Sequence, residues 1–353
     1  MARIRFFIFC CLLSNLPVFT QGQKPRDISK VKSQFLTYDT SRYPFSYTIP
    51  FKKIEVIDYR FDTTKIGYAT YGNRENHTKL VAEEDVQYFL SRRLNEYFKD
   101  NLEPASSKTL VIILKKLWLE YGSINQMLLS KDLDYSSILN LVNRNSVCLT
   151  DMDVFVRSDT VYQALVRLTH NFIIDNVDKN RDFHLLLMPF DSLVSRIQLM
   201  DLTAALVNKK KFSGDDIHTN YKKRFDIPVL SADHFARGIF LSFNDFRNNK
   251  PSYPDFKYKM FKLSTELTIL QNGKEVALTD YWGFSDGKDL YVKPRFLSFR
   301  VMRQGNTFDM LGSMEGKNIP LVIALPGGGH ITTSMSYVFL YPLQIDMETG
   351  KVY

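Results

Sequence analysis

The chain has little cysteine, with three residues in 353. Cys10 and Cys11 lie inside an apolar N-terminal run, so Cys148 is the only cysteine in the rest of the sequence. A single thiol cannot form an intrachain disulfide, and we therefore expect stability to come from a packed core. Because Val147 and Leu149 flank it, we interpret Cys148 as a buried apolar residue rather than a nucleophile.

The sequence also lacks strong catalytic and metal-binding motifs. None of its six histidines forms an H-x-x-x-H or H-x-x-E-H pair, and no second cysteine supports a zinc site. Residues 326–330 read Pro-Gly-Gly-Gly-His, as in an esterase oxyanion loop, but that chemistry needs a serine on a strand-to-helix elbow. We interpret the triglycine as a hairpin turn and expect no catalytic residue, no metal and no cofactor.

The charge is mildly basic, with 46 Lys and Arg against 38 Asp and Glu. Without Arg3 and Arg5 the count is 44 against 38, a net charge of +6. Dense basic runs occur only at residues 209–211 and 222–224, which is too little for a nucleic-acid-binding stripe. We expect no nucleic-acid partner, whereas peripheral contact with an anionic membrane surface is compatible with this charge.

The N-terminus has the pattern of a secretory signal peptide. Arg3 and Arg5 precede an apolar run at residues 6–19, and Thr20-Gln21-Gly22 supplies small residues before a cut near Gly22. A membrane anchor is the alternative, but the run is shorter than the roughly 20 residues that span a bilayer. A lipid anchor is disfavoured because the two cysteines of the run lack a lipobox context. We predict an exported protein.

Apolar periodicity predicts strands and two amphipathic helices in the first part of the mature chain. Strands are expected at residues 51–59, 68–71, 109–121, 146–157 and 160–173. One helix is expected at residues 83–102, where acidic residues fill the first turn and Pro104 prevents continuation. The second is expected to follow Pro189.

Beyond Gly214 the helical periodicity disappears, and short strands alternate with turns. Asn272-Gly273 predicts a type I′ hairpin, and Asp286-Gly287 predicts a second one. The predicted fold class is α+β, with an N-terminal α/β sandwich-like part followed by a β-rich meander or small sandwich. The predicted divisions are a signal peptide at 1–22, an arm at 23–49, an α/β domain at 50–210 and a β-rich domain at 226–353.

One polar cluster is a candidate site. Asp58, Arg60 and Asp62 are two residues apart, so they share one face of a strand and its exit. A paired-acid site with Arg60 lowering the carboxylate pKa values is one interpretation. The alternative, which we favour, is a salt bridge with an Asx-type turn that fixes the strand end.

The β-rich part is dense in aromatic residues. If exposed on one face, Tyr281, Trp282, Phe284 and Tyr291 would form a candidate binding surface for a glycan, a peptide or another protein. A place in the core is the default interpretation of the same residues, since β-rich modules pack aromatic side chains well.

Two stretches resemble known exported proteins. Residues 54–60 (Ile-Glu-Val-Ile-Asp-Tyr-Arg), Ile66-Gly67, the helix from Glu83 and the strand at 110–114 resemble the YajG-like and transport-auxiliary envelope lipoproteins, over about residues 50–205. Residues 238–252 and 282–288 are similar to uncharacterised exported Bacteroidota proteins. These resemblances imply the periplasm or cell surface of a Gram-negative bacterium, although the lipobox cysteine is missing.

The resulting hypothesis is an exported cell-envelope protein that acts as a non-catalytic binding or assembly module for an envelope protein or glycan. The alternative is a carboxylate-dependent hydrolase of an envelope or dietary polymer. It would use Asp58 and Asp62, or Asp286 and Asp289, and would need two carboxyls about 5 to 9.5 Å apart in a cleft. The sequence does not predict an oligomeric state.

Overall fold

The structure is a computed structural model that describes residues 32–35, 48–71, 76–121, 146–174, 182–260, 265–293, 298–315, 319–324, 330–335 and 338–352. The predicted signal peptide, most of the predicted arm and the triglycine turn lie outside the described residues.

Nineteen strands are described. They are β1 Lys32–Phe35, β2 Lys53–Asp58, β3 Gly67–Tyr71, β4 Asn76–Val81, β5 Lys108–Tyr121, β6 Ser146–Ser158, β7 Val161–Ile174, β8 Lys211–Phe212, β9 Gly238–Phe240, β10 Phe256–Met260, β11 Thr265–Gln271, β12 Lys274–Leu278, β13 Gly283–Ser285, β14 Leu290–Val292, β15 Phe299–Gln304, β16 Thr307–Glu315, β17 Ile319–Ala324, β18 His330–Met335 and β19 Val338–Gln344.

Six α-helices are described, and most are short. They are α1 Val86–Tyr97, α2 Asp182–Gln198, α3 Leu202–Leu206, α4 Gly214–Lys222, α5 Pro228–Ser231 and α6 Phe243–Arg247, with a 3-10 helix at Lys223–Phe225. No helix in the described ranges is both long and apolar enough to cross a membrane.

An eight-stranded sheet that curls into a half-barrel organises the first part of the chain. Its order is β1-β4-β3-β5-β6-β7-β8, and β2 pairs with β5 in addition. Strands β2 and β3 share one edge of the long strand β5. β2 runs parallel to the first half of β5, and β3 runs parallel to its second half. Strands β5, β6 and β7 form an antiparallel meander.

Helix α1 satisfies the free edge of β2 through its side chains. Asn95 and Ser91 each accept a hydrogen bond from a β2 backbone N–H, at Ile54 and Val56, both at 2.9 Å. Gln87 accepts a third from Asp58 at 3.3 Å. Successive partners are four residues apart on the helix and two residues apart on the strand, which correspond to rises of about 6 Å and about 6.6 Å. The helical side chains therefore stay opposite the strand N–H groups, and the edge of the sheet is closed.

The main core lies between one face of this sheet and helices α1, α2 and α3. The second helix begins at Asp182, before Pro189 rather than after it as predicted. Proline removes one helical hydrogen bond. Leu185, Phe190 and Leu193 are all buried, and their packing on both sides of Pro189 holds the helix together.

The last part of the chain forms a six-stranded sheet, β19-β16-β15-β14-β13-β9, with a three-stranded and a two-stranded sheet beside it. Asn272 and Gly273 both have positive φ, 52° and 76°, which confirms the predicted type I′ hairpin. The second predicted hairpin is formed by β13 and β14, but its turn is not the predicted two-residue type. Ser285 pairs with Leu290, and the loop between them has four residues.

The predicted α+β class is wrong, because the protein is mostly β with a curled half-barrel sheet. The first part is not the predicted sandwich, because its eight-stranded sheet curls into a half-barrel and is extended by the short strands β1, β4 and β8. Helices also continue beyond Gly214. Capping boxes start α4 at Ser213 and α6 at Ser242, so local hydrogen bonding stabilises helices too short to show periodicity.

Gly67 permits the close approach of β3 to β5. Its φ is +153°, and a Cβ there would lie 1.8 Å from the carbonyl oxygen of Leu119. We expect Gly67→Ala to lower the free energy of unfolding by at least about 3 kcal/mol, since backbone would have to move. Gly214→Ala is the control, because only a Tyr162 ring atom lies within reach, at 3.8 Å. Urea unfolding measures both, and equal effects would contradict the assignment.

Asp191 on α2 gives a pH-dependent stability. Burial raises its pKa to about 7, while a hydrogen bond from Tyr97 lowers it. The folded state therefore keeps a proton that the unfolded state releases near its ordinary pKa of about 4, and stability falls as pH rises from about 4 to 7. Asp191→Asn removes this dependence. We therefore expect the free energy of unfolding of the variant, taken relative to that of the wild type, to be higher at pH 8 than at pH 5.

Urea midpoints at the two pH values measure the Asp191 effect. Asp233→Asn is the control, because Asp233 is exposed. A difference between Asp191→Asn and wild type that stays constant with pH would contradict the raised pKa.

Candidate binding cleft

The second face of the large sheet is covered in two separate places. At one end, Tyr59, Val111 and Phe155 pack against Ile217 of α4. At the other end, Tyr68, Trp118, Val147 and Leu149 form a small cluster against Met302 of β15. The sheet between these two clusters is polar, and it forms the floor of a cleft.

Ion pairs across three neighbouring strands build this floor. Lys115 of β5 lies 3.1 Å from Asp151 and 2.9 Å from Asp153, both on β6. Arg167 of β7 binds Asp151 through two hydrogen bonds, at 2.9 and 3.1 Å. Burial raises the pKa of Asp151, but the hydrogen bond from Arg167 and the charge of Lys115 outweigh it and leave the pKa below its usual value.

The C-terminal segment, residues 345–352, forms one wall. It is a tight turn closed by the bridge between Ile345 and Val352. Two salt bridges hold it to the rest of the protein, from Lys116 to Asp346 at 2.7 Å and from Arg224 to Glu348 at 2.6 Å. Burial raises the pKa of Asp346, yet the charge of Lys116 brings it below the usual value.

The cleft enclosed by the floor and this wall has a volume of about 770 Å³. Its lining includes Trp118 and Trp282, which are the only two tryptophans of the chain. The charged lining residues are seven basic and four acidic side chains: Arg60, Lys115, Lys116, Arg167, Arg224, Lys293, Lys351, Asp62, Asp151, Asp346 and Glu348. Trp118 is only 2% exposed, so Trp282, which is half-buried, supplies most of the aromatic surface of this positively charged cleft.

Beneath the cleft, a buried ion triad joins the two parts of the chain. Lys65 is only 2% exposed, and its ammonium contacts the carboxylates of Asp62 and Asp309, the latter at 2.5 Å. Gln344 donates to both carboxylates, at 2.9 and 3.1 Å, and Tyr68 donates to Asp309 at 2.8 Å. Asp309 and Gln344 lie on β16 and β19, so the triad connects the two large sheets.

Two groups of this network, Asp309 and Tyr68, have raised pKa values. Burial raises the pKa of Asp309, which Lys65 lowers and Asp62 raises further, so that it stays above its usual value. The pKa of Tyr68 is raised as well, first by burial and then by the neighbouring Asp309. Asp309 is completely buried and does not line the cleft, so its shifted pKa cannot serve a ligand there.

The predicted polar cluster is divided between two sets of partners. Arg60 pairs with Asp58 at 2.8 Å and donates to the carbonyl of Lys65, and Asp58 also accepts the Arg60 backbone N–H. Asp62 instead binds Lys65 and accepts from the backbone N–H and hydroxyl of Thr64, at 2.8 and 2.6 Å. The arrangement is that of a salt bridge and Asx-type turn rather than of two acids facing a substrate.

Three of the four aromatic residues proposed as a surface are buried. Tyr281, Phe284 and Tyr291 pack in one apolar cluster, where the rings of Phe284 and Tyr291 stack 4.6 Å apart. Their side chains are therefore unavailable as a platform. Trp282 points the other way, contacts the ring of Phe246 at 4.4 Å and lines the cleft.

The second acidic pair does not line the cleft. Asp289 is bound to Arg300 at 2.7 Å, and Asp286 accepts hydrogen bonds from the backbone N–H groups of Lys288 and Asp289. Residues 283–287 spell G-x-S-x-G, the serine motif of the esterase elbow. Ser285 ends β13, is completely buried and leads into another strand, so it is not on a nucleophile elbow.

Cys148 is fully buried, and burial raises the pKa of its thiol well above the usual range, as expected for a core residue. Within the ranges described, no group of three or more His, Cys, Asp and Glu side chains is placed to hold a metal ion.

Sequence reasoning missed Lys65, Lys115, Asp151, Arg167 and Asp309. A signal was present, because four of these residues interrupt or adjoin strongly apolar strand sequences. A charged residue in such a strand indicates a buried ion pair, but which residue is its partner depends on the register of the neighbouring strand. The link between Lys65 and Asp309 spans 244 positions and has no local signal.

Comparison with known proteins gives no family. No family model matches the chain, and no curated protein matches it. One solved structure, protein XCC0632 from Xanthomonas campestris, of the family DUF330, shares 10% identity over 47% of this chain and 90% of its own, with a TM-score of 0.25. A score this low establishes no common fold. The resemblances to YajG-like and Bacteroidota proteins stay predictions.

The ion triad should be a major source of stability. Removing the cation leaves two buried carboxylates facing each other, so we expect Lys65→Met to lower the free energy of unfolding by about 3–5 kcal/mol. Lys53→Met is the matched control, because Lys53 is half exposed in its pair with Glu55, and it should cost at most about 1 kcal/mol. Urea unfolding measures both, and a Lys65→Met variant as stable as Lys53→Met would exclude this role.

Proposed function

We propose that the protein is an exported cell-envelope protein that acts as a non-catalytic binding module, and that its binding site is the cleft between the large sheet and the C-terminal segment. The observation that carries the proposal is the placement of both tryptophans and seven basic side chains around one cavity of about 770 Å³. Ligand sites are concave and combine apolar surface with a few fixed polar groups. Export rests on the signal pattern at residues 1–22.

The carboxylates of the cleft favour binding over hydrolysis. A general acid needs a pKa raised toward the working pH, whereas Asp151 and Asp346 have pKa values below their usual range. Asp62, Asp151, Asp346 and Glu348 are each engaged by a basic side chain. This pairing makes them anchors for the cleft walls, and the hydrolase alternative gains no support.

The floor is rigid enough to serve recognition. Its ion pairs connect adjacent strands of a hydrogen-bonded sheet, and Thr169 donates to Asp151 at 2.9 Å, which fixes the hydroxyl. A site built on strands holds its groups more accurately than one built on loops, and less entropy is lost on binding.

In-cell photo-crosslinking tests this proposal. A photoreactive amino acid at Thr169, in the cleft, should give discrete adducts with an envelope component, and Trp282→Ala should reduce them because it removes aromatic surface from the cleft. The same group at Leu270 is the control, since Leu270 is 68% exposed on the three-stranded sheet. Adducts of equal yield from both positions, or none from Thr169, would rule out the cleft as the binding site.

A further inference from the structure

Arg167 is the ion-paired basic residue of the cleft that is most open to solvent. Its side chain is 62% exposed. The side chains of the other four ion-paired basic residues, Arg60, Lys115, Lys116 and Arg224, are at most 24% exposed. A ligand that enters the cleft can therefore reach the guanidinium of Arg167, whereas the other four cations are largely enclosed with their carboxylates.

Asp151 uses only one of the two donor pairs of this guanidinium. Nε and Nη2 of Arg167 donate to the two oxygens of Asp151, at 3.1 and 2.9 Å. Arginine has five N–H donors, and the second pair, formed by Nη1 and Nη2, has no hydrogen-bond partner among the described residues. Both pairs lie in one plane, so a second carboxylate can bind here through two parallel hydrogen bonds.

The contacts of Asp151 fix the direction of the free donor pair. The carboxylate of Asp151 lies 3.1 Å from the ammonium of Lys115 and accepts the hydroxyl of Thr169 at 2.9 Å. Because this carboxylate is held by two groups besides Arg167, the guanidinium cannot turn without breaking one of its own two hydrogen bonds. Little side-chain entropy is then left to lose when a ligand binds.

Arg167 also belongs to a row of polar side chains along β7. Arg167, Thr169 and Asn171 are two residues apart, are all exposed and all line the cleft. Such a row repeats at about 6.6 Å, and alternate side chains of an extended peptide have the same repeat. A peptide that lies along β7 can therefore place one side chain at Arg167 and the next ones on the same face at the hydroxyl and the amide.

We propose that the cleft binds an extended acidic peptide, with one carboxylate of the peptide on the free Nη1 and Nη2 pair of Arg167. This inference rests on the proposed binding function and narrows the ligand to a peptide segment with an acidic side chain. A sugar acid would meet the same guanidinium, but the two-residue repeat of the row is that of an extended chain of amino acids.

Calorimetric titration of the mature chain with two octapeptides, of four Glu-Thr and four Gln-Thr repeats, tests this inference. The peptides have the same length and differ in the charge of alternate side chains. We expect the acidic peptide to bind about tenfold or more tightly. Arg167→Lys should bring its affinity close to that of the neutral peptide, because a lysine bound to Asp151 keeps the charge but has no second planar donor pair.

Arg92→Lys is the matched control. Arg92 is also exposed and also donates to a carboxylate through Nε and Nη2, that of Glu84, but it lies on α1 outside the cleft. It should leave the affinity for the acidic peptide unchanged. Equal binding of the two peptides, or an equal loss of affinity in both variants, would overturn the inference.

Two further outcomes separate this ligand class from other ligands of the cleft. Oligogalacturonate that binds as tightly as the acidic peptide, with the same loss in Arg167→Lys, would assign the site to a sugar acid and exclude the peptide. If neither peptide binds while a photoreactive group at Thr169 still gives adducts in cells, the ligand class is wrong and the binding function stands.

Discussion

The buried ammonium of Lys65 is the interaction on which the arrangement of the two large sheets depends. It lies between Asp62, at the exit of the first sheet, and Asp309 of the six-stranded sheet. Three buried charges are costly unless each is fully hydrogen-bonded, and here Tyr68 and Gln344 complete the network. Because these partners come from both sheets, the network is satisfied only when the sheets are docked in one orientation, and that orientation creates the cleft.

The division of the large sheet's second face follows from the same docking. The six-stranded sheet covers the end near Trp118, and α4 covers the end near Val111. The strands between them carry Lys115, Asp151 and Arg167, charges that would be expensive beneath an apolar layer. Sequence and packing therefore agree that this part of the sheet stays open, and the C-terminal segment encloses it through salt bridges rather than through a hydrophobic contact.

Much of the large sheet could be predicted, because β5, β6 and β7 are long apolar runs whose length and β-branched content exclude most alternatives. The short strands β1, β4 and β8 could not, since their pairing is decided by neighbours rather than by their own residues. Helices α4 and α6 are a different case. Their capping boxes can be recognised in the sequence, as Ser213 with Asp216 and Ser242 with Asp245. Helices this short, however, show no periodicity of apolar residues.

The candidate site was harder to predict than the fold, because it depends on register and on contacts between distant segments. The sequence analysis grouped Tyr281 and Trp282 on one candidate surface, and only the packing of Trp282 on Phe246 shows that the two side chains belong to different clusters. The same pairing that fixes the cleft walls consumes most of its charges. The shape of the cleft therefore depends on ion pairs that no local sequence pattern reveals, because their partners lie on neighbouring strands or on distant segments.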